Sequence, residues 1–327
     1  MLIDTERWLT HQPSAALMGA LDGVLEDLLR CREERLTEAA AHLVRRGGKR
    51  MRPALLFVSS AFGPGGAETD LLRVAAAVEL LHVAALYHDD VMDRAETRRG
   101  TPTVNAVRGD AEAVTAGTFV FARAMRTLAA VDGTLAAWAS RSVLALALGQ
   151  MQEAENTYNL EHRLESYAEI AARKTAALFE LSCRAGARLA GAPQDAVEGL
   201  GLYGRALGLA FQAADDTLDV TAPEAVLGKK PGTDLREGVY GLPVLLVLHR
   251  RTLEAERLRQ VLRRDDFTED DQEEACHHVQ AGGGIAGAFT IAQDYAHQAV
   301  THIAGLPGGE AKDSLARLAR YVVTRRH

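Results

Sequence analysis

The sequence is poor in the residues that would tie it to several other architectures. It holds three cysteines in 327 residues, Cys31, Cys183 and Cys276, far apart and odd in number. A disulfide framework and a cysteine zinc site are both disfavoured, and a reducing, cytoplasmic setting is expected. Prolines number nine and sit beside glycine, charged or turn residues. They leave long Ala/Leu/Glu/Arg stretches uninterrupted, and these are strong helix formers. Val/Ile/Thr alternation is short and rare, so no sheet is predicted. No uncharged apolar run approaches the ~18 residues of a membrane span. The opening residues, MLIDTERWLTHQPSAAL, carry early acids rather than a basic-then-apolar pattern, so no signal peptide is expected. Basic residues are the minority charge: 37 Lys and Arg against 44 Asp and Glu give a formal net charge of -7. Nucleic acid is therefore an unfavoured partner, since binding it calls for a basic surface. Stable membrane insertion is not expected, and no basic amphipathic helix marks a membrane-surface binder.

What remains is helix. Periodicity and breakers predict helices near 15–44, 51–62, 70–93, 111–130, 134–155, 164–189, 194–220, 241–251, 253–263, 269–281, 284–303 and 308–325. The breaks fall at Gly63-Pro64-Gly65-Gly66, at Gly191-Ala192-Pro193 and in the polar segment from Thr221 to Tyr240. No Pro/Gly/Ser-rich linker divides the chain. The whole of 1–327 is expected to be one helical domain, with 1–14 as a loose N-terminal segment.

A repeated acidic spacing carries the chemistry. Residues 89–93 read Asp-Asp-Val-Met-Asp and residues 215–219 read Asp-Asp-Thr-Leu-Asp, each after a long apolar helix. On a helix, positions i and i+4 share a face, while i+1 is turned by ~100°. Asp89 and Asp93 thus project together, as do Asp215 and Asp219. Carboxylates crowded in this way repel one another unless a cation lies between them. Hard oxygen ligands suit Mg²⁺, above all where substrate phosphates complete the coordination. One such motif reads as a solvated helix end. Two, both deep in apolar helices, point to a metal and phosphate site.

Cations complete the set. Arg45, Arg46, Lys49, Arg50 and Arg52 surround Gly47-Gly48, directly before a helix. Glycines let backbone approach a ligand, and the cations offset phosphate charge. Arg98-Arg99-Gly100-Thr101-Pro102 follows the first acidic motif. Lys174-Thr175 lies within a helix, and Lys229-Lys230 follows the second motif.

The segments GGKRMRP (47–53), ELLHVAALYHDDVMD (79–93), RRGTPTVN (98–105), RKTAALFEL (173–181), GLAFQAADDTLD (208–219) and LGKKPGTDLREG (227–238) occur in this order. In these segments, and in the tail LARLARYVVTRRH, the chain resembles the trans-isoprenyl diphosphate synthases, the polyprenyl synthetase family, from about residue 15 to its end. The resemblance implies an all-α fold, a helical bundle around a deep central cavity with the two aspartate motifs facing across its mouth. It implies head-to-tail condensation of isopentenyl diphosphate with an allylic prenyl diphosphate, Mg²⁺ as cofactor, and a homodimer. Asp89, Asp90, Asp93, Asp215, Asp216 and Asp219 are assigned by motif to Mg²⁺, directly or through water, and with Lys174 form the catalytic set. Arg98, Lys174, Gln212 and Lys229 are assigned to the allylic diphosphate, with Thr175 helping to position it. Gly48, Lys49, Arg52, His82 and Arg99 are assigned to isopentenyl diphosphate. Glu79-x-x-His82 also has the spacing of a zinc helix, but no third ligand follows. Tyr87 and His88 read as packing or supporting residues. The released diphosphate is expected to take the elongation proton.

Three positions depart from the family pattern. Thr118 stands where an acid often follows Gly117, an acid expected to support the segment near Arg98. Val239 replaces a lysine, and Gly241 replaces a threonine before Leu242-Pro243. Two rival functions share the resemblance. A class I terpene cyclase does not need the Lys49, Arg52 and His82 set, and a silent subunit of a heteromeric synthase usually loses an aspartate motif. Chain length is read from the helix that carries Asp89. Ala84 and Ala85 are small where short-chain members place aromatics, and Leu81 and Val78 follow one turn below. The expected product is C30 or longer, with geranylgeranyl (C20) as the alternative. A phenylalanine at Ala84 is expected to shorten it. Phe119 or Phe121 on a facing helix is the other candidate floor.

Overall fold

The computed structural model describes residues 5–98, 100–223 and 230–324. The helix expected over 15–44 is two helices, α1 (Gln12–Leu29) and α2 (Glu34–Arg45). α1 starts on Pro13, whose missing N–H costs nothing in a first turn, and buries Leu21, Leu25 and Leu29 along one stripe. Arg30 then turns to extended backbone, with φ -64° and ψ 132°. Thr37 fastens the corner: its Oγ1 accepts from the Cys31 N–H at 3.2 Å and donates to the Glu33 carbonyl at 3.2 Å. Neither glycine nor proline marks the break, so the sequence pattern runs through it. The segment expected to be loose is anchored from residue 5. Trp8 is fully buried, and the Thr10 N–H donates to Ser314 Oγ at 3.0 Å.

Next come α3 (Met51–Ser60) and α4 (Glu68–Met92). α4 buries residues on nearly every side, which places it inside the bundle. A two-residue antiparallel ladder pairs β1 (Thr97–Arg98) with β2 (Thr101–Pro102), Arg98 opposite Thr101. It corrects the expectation of no sheet. Its turn needs Gly100 at φ +73°, open to glycine without strain. Then follow α5 (Val104–Arg108), α6 (Asp110–Val131), α7 (Gly133–Glu155) and α8 (Leu164–Ala171). A π-helical turn (Ala172–Ala176) joins α8 to α9 (Ala177–Leu189), within the stretch expected as one helix. α10 (Gln194–Thr221) is the longest helix described. The rest is α11 (Thr233–Arg236), α12 (Leu242–Leu248), α13 (Leu253–Leu262), α14 (Glu269–Ala281), α15 (Gly284–His302) and α16 (Glu310–Thr324).

Two large apolar clusters hold this all-α fold. One joins α1, α2, α4 and α6 through Leu25, Leu43, Val78, Leu81 and Val120. The other joins α3, α10, α15 and α16 through Leu55, Leu207, Ala292 and Leu318. α9 serves both, with Leu178 and Leu181 in the first and Phe179 and Cys183 in the second. Its backbone is nearly touched: a Cβ at Gly186 would lie 2.0 Å from the Leu56 carbonyl oxygen of α3. A third cluster, including Val244, Leu258 and Val279, joins α12, α13 and α14. Among the described residues, no helix is long and apolar enough to cross a membrane.

Candidate active site

α4 and α10 each end in one of the acidic motifs. Asp93 is the C-cap of α4, and Asp215, Asp216 and Asp219 fall in the last two turns of α10. Carboxylates at the negative end of a helix dipole are electrostatically misplaced unless a cation accompanies them. Between the two ends lies a cavity of about 260 Å³, lined among others by Asp93, Lys174, Thr175, Gln212 and Asp216. The structure thus brings both motifs to one space, with the expected lysine, threonine and glutamine between them.

In the first motif, burial pushes the Asp89 carboxyl up to about 6; Lys174 pulls it down, Asp93 pushes it further up and Arg98 opposes. Asp90, turned away by its i+1 position, is 1% exposed and accepts from Arg98 Nε on β1. Asn105 Nδ2 donates to the Asp90 carbonyl at 3.3 Å and to the Ala95 carbonyl at 3.0 Å, holding the hairpin against α4. In the second motif, burial also raises Asp216 to about 6, against hydrogen bonds from Tyr167, the Leu242 N–H and Gln212. Asp219 is buried, and its carbonyl accepts from the Gly232 N–H at 2.7 Å. Asp215 is half-buried.

Lys174 and Thr175 lie in the π-helical turn, a local widening common at functional sites. The Lys174 ammonium meets Glu153 Oε1 of α7. Its stem crosses α7 at Gly149, where a Cβ would lie 2.8 Å from Lys174 Cγ. Thr175 Oγ1 donates to Gln212 Oε1 at 2.6 Å, and Gln212 Nε2 donates to Asp216 Oδ1 at 2.8 Å.

Of the residues expected for isopentenyl diphosphate, Lys49 and Arg52 lie against an aromatic pair. Phe179 and Phe211 lie 5.5 Å apart. The Lys49 ammonium sits 5.4 Å from the Phe211 ring and the Arg52 guanidinium 5.1 Å from the Phe179 ring, each a cation–π contact. Gly48 is half-buried beside them in sequence, and His82 is half-buried on α4. Arg50, counted among the cations, is structural instead. It is buried, with φ +44°, and binds Glu79 at 3.1 Å, Asp22 at 3.3 Å and the Val44 carbonyl at 2.9 Å. That pairing gives Glu79 a structural partner in place of zinc. Tyr87 ties α4 to α2 as a packing residue, donating to the Ala39 carbonyl at 2.8 Å and accepting from the Leu43 N–H at 3.1 Å. Arg99 and Lys229 lie outside the described residues.

Among the four chain-length positions, Val78, Leu81 and Ala84 are buried in the cluster that α4 shares with α6, while Ala85 is half-buried. Ala85 shares its partly open strip with His82, Leu86 and Asp89; none of the four positions lines the cavity between the motifs. Phe119 and Phe121 are half-buried against the same cluster. Of the three departures, Thr118 is exposed on α6, whereas Val239 and Gly241 line the cavity.

Sequence reasoning missed Glu153, Tyr167, Asn105 and the Phe179–Phe211 pair. The phenylalanines fall inside quoted motifs, and their place under the cations is a tertiary fact. Glu153 carried a signal as a carboxylate at the end of an apolar helix. The donor set fits a hard divalent cation, since carboxylate oxygens border the cavity from both sides. Among the described residues, no three His, Cys, Asp or Glu side chains converge on one point.

Comparison with known proteins agrees. Residues 33–279 match the family model for polyprenyl synthetase. The nonaprenyl diphosphate synthase of Mycobacterium tuberculosis is 35% identical, over 93% of this chain and 91% of that protein. The crystal structure of a polyprenyl synthase from Caulobacter crescentus, complexed with calcium and isoprenyl diphosphate, superposes with a TM-score of 0.92 at 32% identity, covering 99% of this chain and 98% of that one. The geranylgeranyl pyrophosphate synthase of Lactobacillus brevis gives a TM-score of 0.89 at 32% identity, covering 98% of this chain and 100% of that one. The chain belongs to the polyprenyl synthetase family, the trans-isoprenyl diphosphate synthases, and is a prenyltransferase.

Proposed function

We propose that this chain elongates an allylic prenyl diphosphate with isopentenyl diphosphate, head to tail and in the trans sense, to a product of C30 or longer. The observation that carries the reading is the pairing of two DDxxD motifs at the C-terminal ends of α4 and α10, with Asp93 of one and Asp216 of the other on a cavity that Lys174 also lines. Asp89, Asp93, Asp215 and Asp219 are the residues to hold Mg²⁺, together with the diphosphate oxygens of the substrate. When bound, the metal neutralises charge building on the leaving diphosphate. Lys174 and Arg98 take the remaining phosphate charge, with Lys229 beside them. Lys49, Arg52 and His82, with Gly48 and Arg99, hold isopentenyl diphosphate in a separate, metal-free pocket. The apolar walls of the bundle keep water from the allylic cation.

The small Ala85 on the partly open strip of α4 and the nonaprenyl name of a relative support the long product, whereas Ala84 is buried in the core and does not. The resemblance to a geranylgeranyl synthase keeps C20 as the second reading. The Lys49 and Arg52 pair on Phe211 and Phe179 speaks against a cyclase, which needs no second diphosphate pocket. We read residues 1–327 as one cytoplasmic domain that forms a homodimer. Leu144, Leu148 and Met151 stand exposed on α7, one or two turns apart, with Val114 exposed on α6; such a patch supports association.

Incubation with labelled isopentenyl diphosphate, Mg²⁺ and dimethylallyl, geranyl or farnesyl diphosphate, followed by product sizing, tests the reading. Products of C30 or more bear it out. Cyclic hydrocarbons, or no incorporation of label, overturn it.

A further inference from the structure

The six aspartates are not equivalent in their surroundings. Asp216 sits in the cavity wall with its carboxylate engaged by donors from three elements. Its Oδ2 accepts from the Tyr167 hydroxyl of α8 at 2.6 Å and from the Leu242 N–H at the start of α12 at 2.9 Å. Its Oδ1 accepts from Gln212 Nε2, one turn back on α10, at 2.8 Å. A carboxylate offers about four lone-pair positions, and three are taken here. The Leu242 N–H is one of the groups a helix start leaves unsatisfied, so Asp216 also caps α12 from another helix. The approach depends on Gly241, where a Cβ would lie 3.0 Å from Asp216 Cβ, Cγ and Oδ2.

The network also has a direction. An ionised carboxylate only accepts, so Gln212 must turn its NH₂ toward Asp216 and its carbonyl toward Thr175. Thr175 accordingly spends its hydroxyl proton on Gln212 Oε1, at 2.6 Å. Asp216, fixed by Tyr167, thereby sets the orientation of two cavity side chains.

We propose that Tyr167 and Asp216 form a positioning pair that orients Gln212 and Thr175 toward the allylic substrate, and that Asp216 serves the reaction this way rather than as a metal ligand. The inference rests on the metal-dependent reading above. It differs from the motif-based assignment of Asp216 to Mg²⁺.

The test compares wild type, Asp215→Asn, Asp216→Asn and Tyr167→Phe in the full-length protein. Two quantities are read: the Mg²⁺ midpoint of thermal stabilisation in the presence of inorganic diphosphate, and kcat and KM for the allylic substrate. Asparagine at 216 can accept from Tyr167 and Leu242 through its carbonyl. Its NH₂ then faces Gln212, which flips and reverses the bond to Thr175. Asp216→Asn and Tyr167→Phe should leave the Mg²⁺ midpoint within about threefold of wild type and lower kcat/KM for the allylic substrate by about tenfold or more. Asp215→Asn should move the midpoint by at least about tenfold. An Asp216→Asn midpoint shifted as far as that of Asp215→Asn overturns the proposal. So does a Tyr167→Phe enzyme with unchanged kcat/KM, a variant that removes only one hydroxyl. Loss of Mg²⁺-dependent stabilisation in the wild type itself instead overturns the metal reading, and Tyr167→Phe kinetics still judge the pair.

Discussion

Replacing Gly149 by alanine isolates how Lys174 reaches its place. In an ordinary helix interior, alanine for glycine stabilises by about 1 kcal/mol. Here the new methyl would lie 2.8 Å from Lys174 Cγ, 2.9 Å from Arg173 Cβ and 3.3 Å from the Lys174 nitrogen. Comfortable carbon–carbon contact begins near ~3.5 Å, so about 0.7 Å of movement is forced. Crowding of this kind costs about 1–3 kcal/mol, partly offset by the helix gain, so the net cost is about 0–2 kcal/mol and the melting temperature should fall by at most a few degrees. The functional effect should be larger. The π-helical turn must withdraw from α7 or the lysine stem must swing, and either moves the ammonium away from Glu153 and the cavity. A charged hydrogen bond lost in the transition state is worth roughly 1.5–3 kcal/mol, or about 10- to 150-fold in kcat/KM. Steady-state assays with the allylic substrate varied should show that loss, with the KM for isopentenyl diphosphate unchanged. A variant within twofold of wild type for the allylic substrate would refute the reasoning, because Lys174 would then not need its seat on Gly149.

Other outcomes follow from the same geometry. Asp89→Ala should cut turnover by orders of magnitude while circular dichroism stays helical; near-normal turnover would end the metal assignment. Lys49→Ala should raise the KM for isopentenyl diphosphate by about 10-fold or more and spare metal-dependent allylic binding; the opposite pattern would exchange the two pockets. Ala85→Phe, on the open strip of α4, should shorten the product by at least one C5 unit, whereas Ala84→Phe, in the packed core, should first lower the melting temperature; an unchanged product from Ala85→Phe at normal turnover would remove the tail from this face. Asp89 is held near 6, above the ordinary carboxylate value near ~4, so its contribution to metal-free stability is present below about pH 4 and lost as pH rises toward 6. Wild type should therefore match Asp89→Asn in metal-free denaturation at pH 4 and fall below it by pH 6.5; the reverse order would show the carboxylate to be stabilised by the fold. Protons should also weaken Mg²⁺ binding below about pH 6.

Much of the fold was legible because helix ends carried chemical marks. α4, α6, α7 and α10 lie within two residues of their expected limits, each bounded by glycine, proline or a charged turn. The break between α1 and α2 was hidden, since a side-chain clasp at Thr37 makes it rather than a breaker residue. The π-helical turn was hidden too, because its extra residue reflects how α10 and α7 press on either side. A Cβ at Gly208 would lie 2.5 Å from Ala176 Cα, and one at Gly149 would meet Lys174. The burial of Trp8 is tertiary in the same sense: only docking against α16 shows that the first residues belong to the core.

The site was legible to the extent that its residues are charged and regularly spaced. The i,i+4 aspartates announce themselves on any helical wheel, and Lys174 stands out in an apolar stretch. What spacing cannot reveal is which charged group faces the ligand and which is spent on the protein. Arg50 and Lys49 are neighbours, yet Arg50 is turned inward by a left-handed backbone and used up on Glu79, Asp22 and Val44, while Lys49 rests over Phe211. Asp90 is likewise turned to Arg98 by the ~100° that separates it from Asp89. The same geometry explains why such acid-rich helix ends persist. Asp90 Oδ1 is held by Arg98, and both oxygens of Asp216 accept hydrogen bonds, so these two carboxylates are turned to protein donors. The carboxylate charge of both motifs sits at the negative ends of two helix dipoles. It is relieved most fully when a cation and its diphosphate enter between them.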